Sequence, residues 1–529
     1  MPAAAEPVAV LRSRRYLALI ALAAILGVPV SAVAWGFLAL VSKLQGWLFT
    51  SLPAGLGFHG EPLWWPLPLL GLAGLLVGLT IRYLPGTGGH SPADGLRPGS
   101  PTMAELPGVF LAALATLALG AVLGPEAPLI AIGGGLAAAL VKLSRSPVPA
   151  SETAVVATAG AFAAISTLLG SPIVGAFLLM EIAGLGGASL ELVLLPGLLA
   201  AGIGALIFVG LGTWSGLGTF SLAIPHLPRF AHPDGAEFGW AIVIGLAAAV
   251  AGVGVRRLAL AVRPHVESRL VWATPVIGLA VAGLAIAYAE GTGKASSEVL
   301  FSGQTATGPL IMNASAYTVP ALLLLLACKG LGYGLSMSAF RGGPVFPSLF
   351  LGAAGGVAMS HLPGLPLIPA VAMGIGAMSA VMLRLPLTAV LLATLLLISD
   401  GVAVMPLVIV AVVVAYLASL RIAPASWPLP GTTTATPAQG SSDASRLAQT
   451  RTRRAGAPLC CCQAFAEAAA AALPWSSRCL IISPGVISAS RSQCRTAANT
   501  AVPPVITPHS PIRQAAPIIV APAIMAGLW

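Results

Sequence analysis

Charge is the scarcest commodity in this sequence. Only 8% of its 529 residues are Asp, Glu, Lys or Arg, against about 25% in a soluble domain, and a water-soluble globular chain is excluded. Cysteine is nearly absent: Cys328 stands alone in residues 1–423, and Cys460, Cys461, Cys462, Cys479 and Cys494 follow without zinc-ligand spacing. A disulfide scaffold and a structural zinc site are therefore not expected, and no metal or cofactor is. The net charge of +10 forms no patch or stripe on a polar surface, so nucleic acid is not an expected partner. A cleavable leader is not expected either. The first apolar run is too long for one and directly follows Arg12, Arg14 and Arg15, which reads as a retained span.

In place of charge the chain has 57% hydrophobic residues, 61 Gly and 45 Pro. Runs at 16–42, 64–84, 106–122, 152–169, 193–212, 237–262, 271–289, 319–340 and 402–421 approach the roughly 20 apolar residues that a bilayer core requires of a helix. Shorter stretches at 126–143, 172–185, 346–360, 367–381 and 386–399 begin at Gly/Pro clusters. They predict discontinuous membrane helices, whose open backbone must face protein or a water-filled cavity. The fold class is all-α and integral to the cell membrane, multi-pass. Arg12, Arg14 and Arg15, and the cluster Arg256, Arg257, Arg263 and Arg269, place residues 1–15 and the 256–269 end on the cytoplasmic face. Residues 213–236 are too polar to span and read as a connection between two halves.

The body is expected over 16–423. Residues 424–529 are different, carrying 8 Arg against 2 acids in Ala/Ser/Thr/Pro-rich sequence without periodicity. They are expected to be a low-complexity disordered tail or a frameshifted C-terminus.

Within the body the halves repeat. Gly124-Pro125-Glu126-Ala127-Pro128 with Gly133 is matched by Gly343-Pro344-Val345-Phe346-Pro347 with Gly352, 219 residues on. Further along, Gly160-Ala161, Pro172 and an apolar run to Glu181 correspond to Gly376-Ala377, Pro386 and a run to Leu397. This predicts a first repeat at about 64–212, a second at about 237–421, and a binding site between them near mid-membrane.

Gly-Pro at the head of an apolar run starts a helix. A helix start has unpaired N–H groups and about half a positive charge, which suit an anion. Two such ends meeting at mid-membrane would hold a small anion without a cationic side chain. Glu126, a carboxylate costing roughly 2.5–3.5 kcal/mol at the centre of a span, sits beside one of them and is a candidate gate, competing with the anion for the same N–H groups. A fixed capping role is the alternative. The Gly86-Thr87-Gly88-Gly89-His90-Ser91-Pro92 loop would complete the coordination, with Thr87 as the hydroxyl; His90 is either a pH-sensitive neighbour or incidental. Glu181 reads equally as structural or as lining a vestibule. Lys329, Arg341 and Arg384 either raise the potential at an entrance or are interface cations.

These motifs resemble those of the CLC chloride channel and transporter family over roughly residues 16–421. Gly124–Pro128 resembles the family's G-[KR]-E-G-P element, Gly86–Gly88 its G-S-G-I-P loop, Gly342–Pro347 its G-G-x-F-x-P element, and Pro172–Glu181 its P-L-x-G-x-x-F-x-x-E helix. The resemblance implies an inverted repeat of tilted and broken helices and a homodimer with one pore per subunit. It implies gating by Glu126 and anion binding by Thr87, Gly88, Val345 and Phe346. Departures are visible: Pro125 replaces the basic residue, Pro344 has no N–H to offer, and the usual coordinating tyrosine is not recognisable near Tyr416. Ile182 stands where proton-coupled members carry an internal glutamate, so Glu181 and Ile182 mark the possible proton path, and the apolar side chain favours channel-like chloride conduction. A proton-coupled chloride exchanger is the alternative. A cation-coupled organic solute transporter is a reading from another class, but it needs a roomier pocket and more midplane carboxylates than Glu126 and Glu181. A membrane scaffold would have no reason to repeat helix starts, and an enzyme is not expected.

Overall fold

The computed structural model describes residues 10–423 except 97–98, 144–147, 185–187, 223–232 and 398–400. The expected tail 424–529 lies outside them, as do residues 223–232 of the polar connection. Among the described residues there are helices and no strand.

The first half contains α1 (Arg14–Gly46), α2 (Pro66–Tyr83), α3 (Leu106–Ala118), α4 (Glu126–Leu143), α5 (Ala150–Ala164), α6 (Pro172–Ala183) and α7 (Ala188–Ser215). The second contains α8 (Gly235–Ser268), α9 (Leu270–Thr292), α10 (Gln304–Met312), α11 (Val319–Ala339), α12 (Val345–Met359), α13 (Leu367–Leu383), α14 (Pro386–Leu396) and α15 (Gly401–Ile422). Among the described residues, eight helical segments are long and apolar enough to cross a membrane.

Two expected spans are shorter than their apolar runs. The 106–122 run gives a 13-residue α3, because the chain turns at Gly120 (φ 103°) and Ala121–Leu123 continue fully buried but non-helical. The 152–169 run gives a 15-residue α5, followed by a buried irregular stretch that ends at Gly170. Conversely, 126–143 forms an uninterrupted helix of 18 residues. Hydropathy reports burial, and protein as well as lipid buries these segments.

The two halves pack alike. α1 lies on α5 and α7 as α8 lies on α13 and α15, and α4 packs on α5 as α12 packs on α13. α1 thus holds in the first set the place of α8 in the second, although the first repeat was expected to begin only at about 64. Backbones come close through glycine. A Cβ on Gly133 would lie 2.6 Å from the Gly160 carbonyl oxygen, and one on Gly352 would lie 2.7 Å from the Gly374 carbonyl carbon. This explains the final glycine of each repeated motif. It also corrects the alignment, since Gly374 rather than Gly376 answers to Gly160. Between the halves, α2 and α9 meet at Gly74, where a Cβ would fall 2.5 Å from the Thr274 carbonyl oxygen, a small-residue contact of the kind membrane helices use.

Taking the face where α1 begins as inner, α1 runs outward and α2 returns. α8 descends from the outer side to place Arg263 on Asp94 (2.7 Å), in the loop after α2. α4 leads into α5, whose first turn sets Glu152 on Arg15 at the head of α1 (2.5 Å), so α4 runs from mid-body to the inner side, while α12 runs from mid-body to the outer side, where His361 beyond its end meets the Tyr317 carbonyl (3.2 Å). The halves are inverted.

Candidate functional site

The starts of α4 and α12 are fastened together by the repeated glycines. Gly124 N–H donates to Gly343 O (2.8 Å) and Gly343 N–H to Gly124 O (2.6 Å), an isolated antiparallel bridge. Glu126 opens α4 and is fully buried. Its Oε1 accepts from the N–H of Val345, the first residue of α12. The amides of Phe346 and of Glu126 itself also act on the carboxylate, while Oε2 is buried without a hydrogen-bond partner. Two helix N-termini thus converge on one carboxylate, each contributing positive potential in a poorly solvated place.

The glycines have a second job. A Cβ on Gly124 would stand 2.8 Å from Glu126 Cδ, and one on Gly343 would stand 2.5 Å from Cγ. Only glycine at both positions leaves the carboxylate its seat.

Two recesses approach this point from opposite sides. The outer one, about 490 Å³, is lined among others by Ser42, Gln45, Pro125, Phe301, Ser302 and Gln304. The inner one, about 40 Å³, has Gly88, Ser91, Ala127, Pro128, Arg341 and Gly342 in its wall, with Gly89 and His90 beside them. Glu126 lines neither and separates them.

Of the residues expected to bind an anion, Val345 and Phe346 meet at Glu126, and Gly88 lines the inner recess. Thr87 does not join them. It is exposed, at φ 50°, and offers its carbonyl to Arg341 Nε (3.2 Å), while the hydroxyl in the wall of the recess is that of Ser91. The left-handed turn through Gly86, Thr87 and Gly88 displaces the hydroxyl the motif pointed to. Ser91 stood in the quoted loop just before Pro92, a helix-start position, and that was its only signal.

Glu181 meets the start of α14. Its carboxylate accepts from the N–H groups of Leu387 (3.1 Å) and Thr388 (2.8 Å) and from Thr388 Oγ1 (2.6 Å), and so caps α14, whose own N-cap residue Leu385 makes no side-chain bond. Ile182 is buried and apolar. Lys329 is no entrance cation; its ammonium donates to the carbonyls of Glu298 (2.9 Å), Val299 (3.0 Å), Leu300 (2.9 Å) and Phe301 (3.4 Å). Arg384 is buried in the left-handed cap of α13. Of these three cations, only Arg341 reaches a recess. Sequence reasoning missed Tyr333, whose buried hydroxyl donates to the Pro344 carbonyl (2.8 Å) at the start of α12.

A profile of the voltage gated chloride channel family matches residues 73–420. The chain is a CLC protein. YfeO of Salmonella paratyphi A (strain ATCC 9150 / SARB42), described provisionally as an ion-transport protein, is 30% identical over 358 residues, 65% of this chain and 81% of that one. YfeO of Escherichia coli (strain 55989 / EAEC) is 29% identical over 351 residues, covering 65% and 80%. Among solved structures, a slow cyanobacterial Cl⁻/H⁺ antiporter superposes with a TM-score of 0.60 at 20% identity, over 76% of this chain and 94% of that chain. A CLC-type fluoride/proton antiporter gives 0.57 at 18%, over 78% and 98%. At such identities the likeness is one of fold. This CLC protein is therefore a multi-pass membrane protein of an anion-transport family.

Proposed function

We propose that this CLC protein passes chloride or a similar small anion across the membrane, channel-like, through the junction of α4 and α12, with Glu126 as its gate. One observation carries the reading: the Glu126 carboxylate occupies the N–H groups at the start of α12, between two recesses, where a permeating anion would be held. When the side chain swings away, the Val345 and Phe346 amides are free for the anion and the recesses join. Passive conduction is favoured because Ile182 is apolar and the Glu181 carboxylate is committed to α14. No cofactor enters the reading, only the transported ion. The working unit is a homodimer in membrane lipid, one pore to each protomer.

Proton-coupled exchange is the second reading, favoured by the antiporters that share this fold. Proteoliposomes loaded with KCl separate the two. Passive conduction gives chloride efflux on adding a potassium ionophore, with external pH constant and no effect of a protonophore. Proton movement in fixed proportion to chloride establishes exchange instead, and no anion flux refutes both. Glu126→Ala is expected to raise chloride efflux several-fold. Its thermal midpoint is expected to depend more on chloride than the wild type's, by up to about 2.7 kcal/mol at 100 times the dissociation constant.

A further inference from the structure

The peptide group that joins Pro344 to Val345 is hydrogen-bonded at both ends. Its carbonyl accepts from the Tyr333 hydroxyl (2.8 Å), and its N–H donates to Glu126 Oε1. The peptide is trans, so its carbonyl and N–H point in opposite directions, and the phenol and the carboxylate stand on opposite sides of one amide. The dipoles run head to tail, from O–H through C=O and N–H to the carboxylate. Hydrogen bonds in such a chain strengthen one another, by about 10–30% per bond, and a low local dielectric raises the strength of each. That condition is met here, because Tyr333, Val345 and Glu126 are all 0% exposed.

The fold supplies the phenol for a reason. Tyr333 lies in α11 beside Gly334, where a Cβ would fall 2.9 Å from the Val255 carbonyl oxygen of α8, so the two helices pack closely at this level. A buried tyrosine O–H needs an acceptor, and here the acceptor is the Pro344 carbonyl. Pro344 is the N-cap residue of α12, makes no side-chain bond there and has no N–H. The donors of α12 therefore begin at Val345, and whatever strengthens that N–H strengthens the place where the carboxylate rests. Three residues along α11, Ser336 Oγ accepts from the Val122 N–H (3.2 Å), in the buried stretch leading to Gly124. That bond ties α11 to the other helix start and is not part of the chain through Val345.

We propose that Tyr333 sets the strength of the seat at the start of α12: its O–H polarises the Pro344–Val345 peptide and makes the Val345 N–H a better donor, to the Glu126 carboxylate when the gate is closed and to the anion when it is open. Tyr333 is a positioning residue that acts on both through a backbone amide. The inference rests on the anion-pathway reading above and adds to it a side chain that tunes gate and anion together.

Tyr333→Phe keeps the ring and removes the O–H. With Glu126 present it weakens the closed gate, so chloride efflux from proteoliposomes is expected to rise about two- to threefold. With Glu126→Ala in the same chain the anion has the seat to itself, and the double variant is expected to bind chloride about three- to tenfold more weakly than Glu126→Ala alone, as loss of one bond from a polarised chain predicts. Calorimetric titration of the solubilised proteins reads that difference. A bond that only held α12 in place would make efflux fall together with the unfolding midpoint; unchanged or lowered efflux overturns the proposal, as does unchanged chloride affinity in the double variant. Ser336→Ala removes a hydrogen bond of the same helix outside the chain, and in the Glu126→Ala background it is expected to leave chloride affinity within about twofold. A loss equal to that of Tyr333→Phe would make the effect one of helix packing and overturn the proposal. Exchange of Tyr333 for 3-fluorotyrosine keeps the bond and makes the phenol more acidic, which covers the case in which Tyr333→Phe does not fold. Chloride binding in the Glu126→Ala background is then expected to tighten, and unchanged binding counts against the polarised chain. If the wild type carries no chloride flux, the transport reading fails by itself and the seat is judged by titration alone; a Glu126→Ala protein that binds no chloride overturns the proposal.

Discussion

Glu126 and Lys329 are opposite charges buried in one membrane body, and both are hydrogen-bonded to backbone. Amides meet the carboxylate and four carbonyls meet the ammonium. The Lys329 carbonyls belong to the turn that ends at Phe301, a residue at φ 58° whose ring packs edge-on against Phe49 and forms part of the outer recess. Lys329→Met leaves those carbonyls buried and unpaired, a loss of roughly 3–5 kcal/mol, to be read as a lowered unfolding midpoint in detergent. A loss below about 1 kcal/mol would show that other contacts hold the turn. Glu126 was legible in the sequence because a carboxylate at the head of an apolar run is rare and costly. Ser91 and Tyr333 were not, because which way a hydroxyl points depends on backbone angles and on neighbours far along the chain.

Among the elements, the two short helix starts matter more than the long spans. α4 and α12 begin where they do because Gly124 and Gly343 pair through two hydrogen bonds and leave space for the Glu126 side chain. Gly343→Ala is accordingly predicted to behave as a gate mutant. The added Cβ displaces the carboxylate, so chloride flux rises as in Glu126→Ala, while the helix content seen by circular dichroism stays unchanged. Wild-type flux in this variant would mean that the side chain finds another closed position. The starts of α4, α12 and α14 were readable from Gly and Pro. The ends of α3 and α5 were not, since buried irregular backbone is as apolar as a helix. The capping of α14 by Glu181 joins residues more than 200 positions apart and leaves no local pattern.

For the molecule as a whole, inversion sets the terms: two similar sets of helices in opposite senses bring two helix N-termini to one point from opposite sides. The glycine contacts Gly133 with Gly160 and Gly352 with Gly374 hold equivalent helix pairs in the two sets. Gly160→Leu and Gly374→Leu are expected to destabilise the protein by similar amounts, at least about 1–3 kcal/mol each by overpacking. A large loss for one and none for the other, in thermal unfolding of the solubilised protein, would show that the halves do not share this contact. The sequence by itself determined a membrane body, a duplicated pair of helix starts and a carboxylate poised at one of them, because hydropathy, Gly/Pro punctuation and the cost of a buried charge are local properties. Only the tertiary structure decided that the Glu126 carboxylate sits on the opposite helix, that Glu181 is a cap, and that Arg341 with Ser91 rather than Thr87 faces the inner recess. Those facts depend on residues tens to hundreds of positions apart meeting in space, and one-dimensional spacing does not encode where a folded backbone turns its N–H groups and hydroxyls.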